Sequence, residues 1–140
     1  MADLNPLIRL RKYRVEEKQK ILADLFREAE KIEARKADLL AQKEHEQKIA
    51  EEKQDYETHT AFTLFAERVR GEVELLDQVL AKLDTRIAIA QEAMREAFGE
   101  LKKIEIIQEN RDEDAAKEVL KREGQVLDEV ALEGFRRKEE

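Results

Sequence analysis

The side chains best suited to chemistry are few and scattered. His45 and His59 are the only two histidines in the 140 residues, and there is no cysteine. A helical di-iron centre places a glutamate three residues before a ligating histidine, but Gln42 precedes His45 and Tyr56 precedes His59. Both imidazoles fall in a polar zone and are expected to face water. Without cysteine there is neither a thiolate metal site nor a disulfide framework. A phosphate-cradling loop needs clustered glycines, and Gly71, Gly99, Gly124 and Gly134 lie far apart in helical context. No catalytic, cofactor-binding or metal-ligating residue is therefore predicted. No cofactor is expected, and the chain is read as not an enzyme.

The elements that would have to position such groups point the same way. Charged residues make up 44% of the chain and aromatic residues 5%, with four glycines and one proline to make turns. Such a composition, with apolar residues at helical spacing, predicts long helices and not a layered core around a concave site. A net charge of -7 makes nucleic acid a poor partner. Residues 1–20 run against the mean, with Arg9, Arg11, Lys12, Arg14, Lys18 and Lys20 against Asp3, Glu16 and Glu17. That face is either solvated or a docking surface for an acidic protein or lipid headgroups. The opening MADLNPLIRLRKYRVEEK carries charge in every turn, and no stretch approaches a membrane span, so a soluble cytoplasmic protein is expected.

Asn5 and Pro6 read as the cap and first position of a helix running to about residue 57. Ile8, Val15, Leu22, Leu25, Ala29, Ile32 and Leu39 form its apolar stripe. In the second helix, about 62–135, d positions are Phe62, Val69, Leu76, Leu83, Ala90, Ala97 and Ile104. The a positions are Ala66, Val73, Leu80, Ile87, Met94 and Leu101. An unbroken apolar seam at a 3.5-residue repeat predicts a coiled coil. The threonines and His59 of QDYETHTAFT place the turn at about 57–61, and Gly71 and Gly99 read as points of close helix approach. The expectation is an all-α chain: one coiled-coil domain over residues 1–140, a long antiparallel two-helix hairpin with a C-terminal helical overhang. Folding back near residue 59 pairs residue i with roughly 118 - i, matching Leu25 with Met94, Ile32 with Ile87, Leu39 with Leu80 and Val15 with Ile104. A first arm of about 50 residues extends on the order of 75 Å.

Two regions exceed what self-burial can absorb. Beside the turn, Phe65, Val69, Val73 and Leu76 face the polar KEHEQKIAEEKQDYE, so part of their stripe is expected to stay wet or meet a partner. Beyond about residue 112 the second helix has no first-arm partner. It nevertheless carries Ala116, Val119, Leu120, Val126, Leu127, Val130 and Phe135 at helical spacing. A lone helix of that length is marginal in water, so it is expected either to gain order from a partner or to fray in solution.

Three stretches carry a resemblance over essentially the whole chain: LIRLRKYRVEEKQKILADL, FTLFAERVRGEVELLDQVL, and ELKKIEIIQENRDED followed by LDEVALEGFRR. In this order they resemble the FliJ family of the flagellar type III export apparatus. The resemblance implies a non-enzymatic antiparallel coiled coil, cytoplasmic and peripherally associated with the inner-membrane export apparatus. The end bearing both termini would enter the pore of the hexameric export ATPase FliI, with its regulator FliH, and promote ring assembly. The turn-proximal region would contact the cytoplasmic domain of the export gate FlhA, and export chaperones are further implied partners. On this chain the gate-binding positions would fall on Phe65, Val69, Glu72 and Leu76, with Ile49 and Tyr56 from the first arm. The ATPase-ring contacts would be Arg9, Arg11, Lys12, Arg14, Val126, Val130 and Phe135. Glu72 departs towards charge, and Glu52 or Lys53 stands where an aromatic is expected. A stalk of a virulence-type secretion system shares this architecture, and a generic coiled-coil scaffold or adaptor is the remaining alternative. An export stalk implies a monomeric hairpin.

Overall fold

The structure, a computed structural model, describes residues 3–139. Two helices account for nearly all of it, α1 (Asn5–Lys53) and α2 (Tyr56–Glu139). The chain falls into two units, Met1–Arg14 with Ala97–Glu140, and Val15–Glu96.

The start of α1 is capped differently from the expectation. Asn5 N–H donates to Asp3 Oδ1 at 3.0 Å, and the Leu4 carbonyl accepts the first helical bond from Ile8 N–H at 2.9 Å. The N-cap position is thus Leu4 and the capping side chain is Asp3, not Asn5, because the helix begins one residue earlier than Pro6 suggests. Pro6 still lies in the first turn, where a missing N–H costs nothing.

The reversal is at Gln54 and Asp55, ahead of the expected 57–61. Gln54 takes a left-handed backbone (φ 48°) and its N–H donates to the Ala50 carbonyl at 3.2 Å, ending α1. Asp55 then caps α2: its Oδ1 accepts from Glu57 N–H at 3.4 Å, its Oδ2 from Thr58 Oγ1 at 3.3 Å, and its carbonyl from His59 N–H at 3.0 Å. The threonines that suggested a later turn are absorbed within the helix. Thr60 and Thr63 hydroxyls donate to the carbonyls of Tyr56 and His59, four residues back, both at 2.9 Å.

Moving the reversal changes which layers meet. Within the Val15–Glu96 unit, Lys36 Nζ lies 2.7 Å from Asp77 and Arg35 lies 3.1 Å from Glu72. Within the other unit, Leu4 N–H donates to Gln108 Oε1 at 3.1 Å and Arg11 lies 3.8 Å from Glu100. Lys36, Arg11 and Leu4 thus find partners roughly one heptad short of where a reversal at residue 59 would put them. The expected pairings of Leu25 with Met94, Ile32 with Ile87 and Leu39 with Leu80 are corrected by that step. Charge favours the observed register, since slipping α2 by seven residues would offer Val79 to Arg35 and Ile107 to Arg11.

The seam itself is as periodic as the sequence implies. Every predicted a and d position of α2 is buried or half-buried. Leu22, Leu25, Leu83, Ile87 and Ala90 form the packed centre, with Ala29, Ile32 and Met94 against it. On α1 the seam is interrupted by half-buried cations, Lys18, Lys36 and Lys43 in one unit and Arg11 in the other. Polar residues in such positions cost stability and help specify register. The Asp77 carboxylate, through its hydrogen bond first and its charge second, holds the Lys36 amine above the ordinary lysine range.

Gly71 and Gly99 are not points of close approach. A Cβ built on either would meet nothing within 4 Å. Both occupy helix interiors with negative φ, so their only effect is the extra freedom of the unfolded chain. G71A and G99A should each raise stability by about 0.5–1 kcal/mol in urea melts. A loss of stability in either would restore the close-contact reading.

Candidate interaction surfaces

The residues assigned to gate binding all lie in the Val15–Glu96 unit, but they do not form one exposed face. Tyr56, at the second helix's first position, is 85% exposed. Phe65, Leu76 and Ile49 are half-buried. Val69 is only 2% exposed, so the expectation that it stays wet is corrected. The register shift is the reason: Lys43 and Gln47 line one cleft with Phe62, Ala66 and Arg70, which brings the first arm over this part of the seam. Glu72 is a brace, its carboxylate paired with Arg35 across the two helices. As both partners are about half exposed, the pair contributes little to stability.

Sequence reasoning passed over Leu64, Leu75 and Val79, which stand at 58%, 62% and 42% exposure in the same part of α2. They lie outside the a and d positions, where a solvated two-stranded coil normally carries charge. An apolar residue at such a position was the available signal, hidden by attention to the seam.

The residues assigned to the ATPase ring all lie in the other unit. Arg9, Lys12 and Arg14 are exposed. Arg11 is not: it occupies the seam beside Glu100, and its buried Nε has no hydrogen-bond partner among the described residues. Val126, Val130 and Phe135 stand at 58%, 61% and 62% exposure. Leu4 meets Gln108, and from residue 109 to 138 every residue is exposed except the half-buried Gly124. Helix α2 continues through this stretch with its apolar stripe uncovered.

The family model of the flagellar FliJ protein matches residues 1–140. The chain belongs to the FliJ family. No curated protein and no solved structure matches it. Membership ties the chain to flagellar export, and its two-helix, strand-free architecture among the described residues agrees with the fold expected on resemblance to that family. No helix among those residues is long and apolar enough to cross a membrane. Nor does any group of three His, Cys, Asp or Glu side chains among them come together to hold a metal.

Proposed function

We propose that the chain is a non-enzymatic, stalk-like component of flagellar type III export. It promotes assembly of the export ATPase ring and couples the ATPase to the export gate. The observation that carries this reading is the uncovered stretch of α2, where Val119, Leu120, Val126, Leu127, Val130 and Phe135 are each more than half exposed on a continuous helix. An apolar helical face of that length is costly in water and is suited to insertion into a hydrophobic pore or groove. Arg9, Lys12 and Arg14 supply positive charge in the same unit, which suits an acidic rim on the receiving protein.

The partners on this reading are the export ATPase with its regulator, the cytoplasmic domain of the gate, and export chaperones. Its location is the cytoplasmic side of the inner membrane, by association with that apparatus. The gate contact involves Tyr56, Phe65 and Leu76, which have surface to offer; Val69 supports them from beneath. Titrating the full chain into purified export ATPase, at concentrations where rings are incomplete, should raise ATPase activity. Unchanged activity at saturating chain would sink the reading. In parallel, the double variant F65A/L76A should lose binding to the isolated gate domain, while V69A should act mainly by loosening the helix pair.

A further inference from the structure

The Val15–Glu96 unit has a second uncovered apolar surface that the export reading does not use. A groove runs between its two helices, with Ile21 of α1 and Ile89 of α2 at the rims and the buried Leu25 and Ala90 on the floor. The small side chains of Ala90 and Ala93 make the depression, since a larger residue at either would fill it. Along α2 the groove opens onto a row in the same unit: Leu75, Val79, Lys82, Arg86, Ile89 and Ala93, spaced alternately by four and three residues. Leu75 and Ala93 lie about five full turns apart, so the row keeps to one side of the helix over about 27 Å. Its larger apolar members are uncovered, with Leu75 62%, Val79 42% and Ile89 65% exposed.

Charge along this face has a set order. Two cations stand in the middle of the row and apolar side chains at both ends, and no carboxylate occurs in the row or among the residues lining the groove. Lys82 and Arg86 are exposed, and the half-buried Lys18 of α1 lines the groove with Arg86. None of these three cations has an ion-pair partner among the described residues. An apolar row outside the seam gains by being covered. Unpaired cations within it select a covering surface that brings carboxylates.

We propose that this face receives an acidic amphipathic helix of another protein, docked as a third helix in the groove and along the row. Helix-in-groove recognition reads anchors at this spacing. The incoming helix carries apolar side chains at the two ends of its stripe and two carboxylates in the middle. The carboxylates meet Lys82 and Arg86, while the apolar ends cover Leu75 and Val79 on one side and Ile89 and Ala93 on the other. Because the order of fours and threes reads the same from both ends, the pattern holds for either direction of the docked helix.

The other occupants fit less well. A helix that lies on a membrane presents an unbroken apolar face with its cations on the polar flank. Here the cations interrupt the row, and the apolar contact on offer is partly recessed. A second copy laid row on row would set the Lys82 and Arg86 of each against the same pair of the other, and like charges brought together disfavour that contact. The inference goes beyond the export reading and does not rest on it, since none of the residues assigned to the gate or to the ATPase ring belongs to the groove or the row.

The test uses the full chain and a labelled synthetic helix of about twenty residues. The peptide has leucine at the four outer positions and glutamate at the two inner positions of the same alternation, on an alanine and glutamine background. Fluorescence anisotropy should show saturable one-to-one binding below about 100 µM. A peptide with lysine in place of both glutamates should bind at least about ten-fold more weakly. I89D should weaken the glutamate peptide more than about ten-fold, because it puts an unpaired carboxylate in an apolar contact. K82E/R86E should reverse the preference, weakening the glutamate peptide and strengthening the lysine peptide, each about ten-fold. Circular dichroism and melting of these variants should match wild type, since all three positions are exposed. Absence of saturable binding overturns the proposal, as does equal binding of the two peptides or indifference to I89D. Vesicles of phosphatidylglycerol and phosphatidylcholine that bind wild type but not I89D, unaffected by the glutamate peptide, would assign the face to a lipid surface and overturn it. A dimer of the free chain in sedimentation velocity that I89D abolishes would assign the face to a second copy, with the same consequence.

Discussion

L83A should lower the unfolding free energy by about 3 kcal/mol in urea, with the midpoint falling and the dependence on urea unchanged. Leu83 is 2% exposed, the largest fully enclosed side chain among the described residues, and it sits among Leu22, Leu25, Ile87 and Ala90. The two alanines nearby cannot expand to fill a void. The loss should therefore include a cavity contribution in addition to the lost transfer free energy of the side chain. A two-helix pair has no further layer to rearrange, which puts the cost towards the middle of the range for leucine truncation. A change below about 1 kcal/mol would mean that the seam at this point is loose and solvated.

The triple variant V126D/V130D/F135D should reduce stimulation of the export ATPase more than about ten-fold, while leaving the melting temperature of the isolated chain nearly unchanged. These three side chains are already more than half exposed, so the isolated fold loses little when they become polar. In a docked state each carboxylate would be drawn out of water without a partner, and the costs would fall on binding alone. Equal stimulation by wild-type and variant protein would remove this face from the ring contact. A cooperative loss of melting temperature would instead show that the segment packs within the fold. The contrast with L83A is the useful control: one substitution removes stability from the seam, the other removes a contact surface from a helix with nothing beside it.

The two outcomes also mark how much of the candidate site could be read in advance. The uncovered end was legible because its apolar residues outrun the first arm, a matter of counting along the chain. The patch beside the turn was legible only in part. Tyr56 has the surface expected of it, whereas Val69 is enclosed and Glu72 is engaged with Arg35, and neither fact follows from residue type. Arg11 illustrates the same limit: among the four basic residues assigned to the ATPase ring it alone lies in the seam, beside Glu100. The turn was misplaced because threonine has two outlets for its hydroxyl. It can cap a new helix or bond back to the preceding turn, and Thr60 and Thr63 do the second.

Periodicity by itself determined that this protein is two long helices with one apolar seam, and which side chains of α2 line it. A 3.5-residue repeat holds one stripe on one side whatever the partner, so every a and d position found cover. The same repeat is blind to a slip of seven residues, which returns each stripe to itself while exchanging every layer. Only the tertiary structure decided between those registers, through a reversal at Gln54 and Asp55 and through ion pairs such as Arg35 with Glu72 that a slipped register would break. That choice, in turn, encloses Val69 and leaves Ile89, Leu75 and the end of α2 uncovered for contact with other molecules.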